Sequence, residues 1–198
     1  MSKGQKRPYE QVMPIAQHIV EALRPFCENG RIEIAGSLRR GRQMVGDIEI
    51  CAIPKRPYKL QRSLFQPKEV DFDAQTELGK FLKSKLKEKY WRLDGQKLKS
   101  FYYSGIQVDL FLPTLENWGW RFMLSTGSGD FNKWLVTSQA KGGAMPWGKR
   151  SDDGYLWHRT ERLVTQTEED VFTALDLPFI PVDYRDDHHW LKLVGEGE

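Results

Sequence analysis

The sequence predicts an α+β fold, and three observations lead there. Short runs of strand-forming residues recur through the first 115 positions, at Ile32–Ala35, Ile48–Ile53 and Ile106–Leu112. Between them lie segments with apolar residues at helical spacing. After Leu115 the pattern becomes mostly helical, with one small hairpin. We therefore place a boundary there, with one domain over 1–115 and a second over 116–198.

Taken in order, Val12, Ile15, Ala16, Ile19, Val20 and Leu23 predict a helix from Val12 to Phe26, broken by Pro25 and Asn29-Gly30. A helix is expected over Phe72–Leu86, with Lys80, Lys83, Lys85, Lys87 and Lys89 forming a solvated basic end. Tyr90–Leu93 and Leu98–Tyr103 read as two strands joined through Asp94-Gly95, a favourable hairpin turn. Further on, Trp118–Met123 and Asp130–Ala140 read as helices around the turn residues Thr126-Gly127-Ser128-Gly129. The region Gly142–Gly154 reads as loop, and Gly154–His158 with Glu161–Val164 as a hairpin. Thr167 is placed to cap a helix running to Leu175, with Glu168, Glu169 and Asp170 in its first turn. Trp118, Trp120 and Trp134 are expected in the core, Trp147 is a candidate for stacking on a base, and His188-His189 is expected in a frayed tail.

Composition narrows the function classes. With 39% hydrophobic and 12% aromatic residues the chain can bury a core. A net charge of +3 is weakly compatible with a polyanionic partner. Cys27 and Cys51 lack the spacing of a zinc site and read as reduced core residues. The absence of a long apolar run argues against a membrane span, and no signal peptide is visible, so a cytoplasmic location is expected.

The chemistry concentrates in AGSLRRGRQMVGDIEI, Ala35 to Ile50. Alternate residues on a strand face the same way, so Asp47 and Glu49 stand together while Ile48 and Ile50 enter the core. Neighbouring carboxylates repel, and a divalent cation is the natural neutraliser. Asp109, within Ile106–Leu112, has the same context, and the three acids are expected to converge on a two-metal site for displacement at phosphorus. Gly36 permits close backbone approach to a ligand, and Ser37 opens a short helix whose free N–H groups suit phosphate. Arg39, Arg40 and Arg42 add positive charge.

Gly36-Ser-Leu-Arg-Arg-Gly41, Gly46-Asp-Ile-Glu-Ile50 and Val108-Asp109-Leu110 resemble the palm of X-family DNA polymerases, within the polymerase beta-like nucleotidyltransferases. Ser125-Thr126-Gly127-Ser128, Phe131-Asn132-Lys133 and the stretches Thr167–Phe172 and Leu177–Pro181 extend the resemblance into a thumb-like subdomain. It implies a nucleotidyltransferase palm, a mixed sheet with helices, followed by a small thumb-like α+β subdomain: a minimal palm-plus-thumb enzyme. It implies that Asp47, Glu49 and Asp109 are catalytic and hold two Mg2+ ions, with Mn2+ also admitted because Glu49 stands where the family usually has Asp. It places Gly36, Ser37, Arg40, Gly46, Gly127 and Asn132 at the nucleotide and Lys133 at DNA. The implied reaction is template-directed extension of a primer 3′-hydroxyl from a deoxynucleoside triphosphate, in short-gap repair of DNA, by a monomer without membrane contact. Two alternatives remain. One is a template-independent or RNA-directed nucleotidyltransferase, favoured by Val136 where many members carry Arg. The other is a catalytically decayed DNA-binding module. Leu124 and Ser125 replace two aromatics, which predicts weakened rejection of ribonucleotides.

Overall fold

A computed structural model of the chain describes residues 6–55 and 76–195. The first half is built on a five-stranded sheet in the order β2-β4-β7-β6-β5. Its strands are β2 (Cys27–Ile34), β4 (Asp47–Pro54), β5 (Trp91–Asp94), β6 (Leu98–Tyr103) and β7 (Ile106–Phe111). The central pair β4–β7 is parallel; the other pairings are antiparallel.

Helix α1 (Tyr9–Leu23) turns Val12, Ala16, Ile19, Val20 and Leu23 into the core. It begins earlier than its apolar stripe suggests, because β1 (Arg7–Pro8) pairs with β3 (Met44–Val45) and Tyr9 N donates to Gln43 O at 2.9 Å. Pro14 lies inside this helix and removes one backbone donor, yet the buried stripe carries the helix through. Strand β2 also begins earlier than expected. A bulge between Cys27 and Ile32 accommodates Asn29 and Gly30 at φ 46° and 67°, so the turn residues bend the strand without ending it. The expected helix start at Phe72 lies outside the described residues; α3 (Glu77–Lys85) is seen with Thr76 as cap, its side chain accepting from Gly79 N at 3.1 Å. The β5–β6 turn closes through Gly95 N donating to Leu98 O at 3.0 Å.

The second half contains α4 (Trp118–Thr126), α5 (Gly129–Val136), a three-stranded sheet of β8 (Lys149–Asp152), β9 (Tyr155–His158) and β10 (Glu161–Leu163), and α6 (Glu168–Ala174). Three expectations are corrected here. Helix α5 stops at Val136, four residues short of Ala140. The region Gly142–Gly154 is not all loop, because Lys149–Asp152 pairs with β9 as a mostly exposed strand that carries no hydrophobic alternation to reveal it. The tail around His188-His189 is anchored: Trp190 is 1% exposed, and His188 stacks on it at 4.9 Å between ring centroids. The cap on α6 matches the sequence, with Thr167 and Asp170 forming a reciprocal box.

Two apolar cores result. One joins α1 to the large sheet through residues such as Ile19, Ile48, Val108 and Leu110. The other joins Trp120, Phe131, Leu156, Phe172 and Trp190. A smaller cluster of Ala35, Cys51, Ile53, Trp118 and Phe122 lies between β4 and α4. Full burial of such side chains contributes about 1.5–3 kcal/mol each. Trp134 is half-buried against the second core. Cys27 and Cys51 are buried free thiols. Among the described residues no helix is long and apolar enough to cross a membrane.

Candidate active site

Strand alternation sends Ile48 and Ile50 fully into the core and leaves Asp47 and Glu49 half-buried on the other face. On β7 the buried series is Ile106, Val108, Leu110, which puts Gln107 and Asp109 on the same face as those acids. Parallel pairing sets Glu49 opposite Asp109 and Asp47 opposite Gln107. Glu49 is pushed from 4.5 up to about 8, chiefly by burial, then by Asp47, with Asp109 adding and Arg40 opposing. Asp47 is also raised, by burial and then by Asp109, again against Arg40.

The three carboxylates share a face but do not close on one point. Among the described residues no group of three His, Cys, Asp or Glu side chains meets at metal-holding distance. The reason lies in local hydrogen bonds. Gln107 Nε2 donates to both oxygens of Asp109, at 3.0 and 2.9 Å, and Ser100 Oγ donates to Oδ1. Arg92 in turn donates to Gln107 Oε1. Glu49 instead lies beside Gly36, where an added Cβ would sit 2.0 Å from Glu49 Oε2. The donor set nevertheless fits a hard divalent cation: all the side-chain donors are oxygen, and burial, with repulsion between the acids added to it, raises Asp47 and Glu49.

The loop before β4 faces these acids. Ala35 N donates to Glu49 O at 2.8 Å, fixing Gly36 at φ +63° as the chain enters α2 (Gly36–Arg39). Ser37 Oγ is buried and has no hydrogen-bond partner. Ser37, Arg40, Gly46, Asp47, Gln107 and Ser128 line one open cleft. Gly127 sits on the turn between α4 and α5, and Asn132 lies in the first turn and a half of α5. Asn132 Nδ2 donates to Leu124 O at 2.6 Å, while its Oδ1 is buried without a partner. An added Cβ at Gly127 would meet that Oδ1 at 2.2 Å. Lys133 is exposed on α5.

Arg40 is not waiting free. Its Nε binds Asp186 at 2.9 Å and its Nη1 donates to Thr126 O. Arg39 makes a two-pronged pair with Glu168 at 3.0 and 2.7 Å and lies 3.9 Å over the Phe122 ring. Arg42 reaches Asp186 at 3.0 Å and Asp187 at 3.1 Å. Glu168 also accepts from Arg185, which is fully buried, and this company holds its carboxyl below the usual range despite burial. Sequence reasoning missed this whole set of acids. It also missed Ser100, although the tight Ser104-Gly105 turn pairs Tyr103 with Ile106 and so sets Ser100 opposite Asp109.

Ser125 is 5% exposed and lies beside the Cys51 thiol.

Neither a protein-family model nor a curated protein matches this chain. A solved structure of Leishmania infantum polymerase beta, in a ternary P/T complex, superposes with a TM-score of 0.64 at 20% identity, over 93% of this chain and 78% of that one. The chain has a polymerase beta-like fold. The α+β class read from the sequence is that of the structure, a mixed sheet with helices followed by a smaller α+β unit.

Proposed function

We propose that the chain is a metal-dependent nucleotidyltransferase of the X-family type, which extends a DNA primer 3′-hydroxyl with a deoxynucleoside triphosphate. The observation that carries this reading is the register of β4 and β7, which sets Glu49 opposite Asp109 and beside Asp47, below a loop whose Ser37 hydroxyl is buried without a partner. Residues 1–115 serve as palm and 116–198 as thumb. Asp47, Glu49 and Asp109 would hold two Mg2+ ions, or Mn2+, whose charge offsets the negative charge gathered in the reaction. Ser37, Arg40 and Gly46 bind the triphosphate, with Gly36 allowing the close approach. Gly127 and Asn132 border the sugar and base, and Lys133 meets the template.

The primer 3′-oxygen bonds to the α-phosphorus, the bond from that phosphorus to its bridging oxygen breaks, and pyrophosphate leaves. Asp109 accepts the hydroxyl proton. Positioning and charge neutralisation supply the rate. A monomer filling short gaps during repair, in contact with DNA in the cytoplasm, is the setting this reading favours. The fold shared with a polymerase beta solved in a ternary P/T complex supports it.

A second reading is extension without a template. Val136 is 43% exposed at the end of α5, where it offers no charge to a template strand. Primer extension on gapped, blunt and single-stranded DNA, with and without divalent cation, separates these readings. Template-directed extension on gapped DNA that vanishes in Asp109→Asn, with DNA binding kept, is expected. Equal extension on single strands favours the second reading, and near-native extension by Asp109→Asn refutes both.

A further inference from the structure

The outer face of the β8–β9–β10 sheet carries an ordered set of side chains that the carboxylate site does not use. In the antiparallel register Arg150 lies opposite Trp157, and Trp157 opposite Arg162. Directly opposed residues share a face, so the indole is flanked by a guanidinium on each side. The two Cζ atoms lie 5.1 and 5.2 Å from the Trp157 ring. Tyr155 is two residues along the same strand and so on the same face; Arg162 also lies 4.6 Å over its ring. The inner face of the sheet is spoken for. Leu156 is fully buried in the second core, and Trp120 Nε1 donates to Ser151 Oγ at 3.2 Å.

Beside the sheet, Trp147 is 85% exposed, with Arg159 Cζ 5.9 Å from its ring. An indole this exposed adds little to folding. Among the described residues, none of Arg150, Arg159 and Arg162 has a carboxylate at salt-bridge distance. A stabilising ladder needs neither feature: it would neutralise its cations and bury its rings. None of these residues lines the carboxylate cleft.

We propose that this face is a docking surface for single-stranded nucleic acid. Unpaired bases stack on Trp147, while Arg150, Arg159 and Arg162, two of them held in place over the rings of Trp157 and Tyr155, take the phosphates. Flat rings interleaved with cations suit a strand whose bases are turned outward; a duplex keeps its bases stacked inside and offers this face only phosphate. The inference deepens the proposed function by giving the chain a grip on an unpaired strand, but its test requires no catalysis.

The test is fluorescence anisotropy with oligo-deoxythymidine of about 16 nucleotides and with a blunt duplex, in chelator and without nucleotide. Trp147→Ala, Trp157→Ala and the pair Arg150→Ala/Arg162→Ala are compared with the native chain. Each is expected to weaken single-strand binding by about tenfold, in line with ~1–3 kcal/mol per stacked base, and to leave duplex binding within about twofold. The arginine pair should also flatten the salt dependence by a slope of about 1.4. Trp147 is too exposed for its loss to unfold the chain, so its variant decides the matter if Trp157→Ala melts. No single-strand binding by the native chain, or native-like binding by the Trp147 and arginine variants, overturns the proposal, as does an equal loss of duplex binding. Single-strand binding that survives in a chain with no primer extension would refute the proposed function and leave this surface standing.

Discussion

Replacing Glu49 by Gln tests the carboxylate site without relying on turnover. In the folded chain Glu49 is raised from 4.5 to about 8, first by burial and then by Asp47 and Asp109. The folded state therefore keeps a proton that the unfolded chain has already released above pH 4.5. For an acid raised in this way, the stabilisation is fully present below the unfolded pKa and is lost as pH rises through the folded one. At ~1.4 kcal/mol per tenfold change in proton affinity, the loss by pH 8 is on the order of 5 kcal/mol. Glutamine has the same shape and no proton to lose. In chelator, Glu49→Gln should match the native chain near pH 4.5 and exceed its Tm at pH 8.5 by on the order of 10 °C. Added Mg2+ should raise the native Tm at pH 8.5 and leave that of the variant almost unchanged, because only the native chain has a full set of charges to neutralise. Thermal melts across pH 4.5–8.5, with and without cation, give the answer. Titrating groups remote from Glu49 are common to both chains and cancel in the difference, whereas Asp47 and Asp109, which couple to it, contribute to the gap in the same site. If the two Tm curves stay parallel throughout, Glu49 is not held against its charge, and the electrostatic argument for a cation fails.

Three more outcomes are expected. Glu168→Gln leaves the fully buried Arg185 without its counter-charge and should cost about 3–5 kcal/mol in denaturant unfolding; a loss below about 1 kcal/mol would mean that the pairing is inert. Gly36→Ala forces a Cβ to within 2.0 Å of Glu49 Oε2 at a positive φ, so extension should fall by about two orders of magnitude or more, roughly 2.7 kcal/mol, while circular dichroism still shows a folded chain. Because the Ser125 hydroxyl is turned to Cys51, Ser125→Ala should leave the deoxy-to-ribonucleotide ratio of kcat/KM unchanged, whereas Leu124→Tyr should raise it; a shift from Ser125→Ala would return the hydroxyl to the sugar.

The acids of β4 and β7 were legible because alternation is local. Once Ile48, Ile50, Val108 and Leu110 are taken as core, Asp47, Glu49 and Asp109 have one face left. The Asp94-Gly95 turn and the Thr167 cap are equally local, each carried by two to four residues. The partners of the arginines were not legible. Glu168 and Asp186 lie 129 and 146 residues from Arg39 and Arg40, and nothing in a first-turn glutamate or an Asp-Asp pair separates a solvated acid from an ion-pair partner. Strand β8 was hidden for another reason: its residues are mostly exposed, so the polar sequence that reads as loop is also what this strand requires. The orientation of Ser125 depended on Cys51, from a strand far upstream, and helix periodicity alone could not supply it.

The seam between the two halves has a consequence for how the chain meets a polyanion. Its arginines arrive already supplied with counter-ions: Glu168 for Arg39, Asp186 for Arg40, Asp186 and Asp187 for Arg42. Under the proposed function a phosphate entering beside Ser37 would take part in an exchange, with one anion leaving as another comes in. Its net gain is the difference between two ion pairs, and fewer small ions are released from the arginines than a bare cationic loop would shed. The carboxylates set aside in that exchange belong to the far half of the molecule, so whatever replaces them also loosens the ties between the halves. Grip on the incoming anion and freedom of the seam are then two readings of one equilibrium, and salt acts on both together.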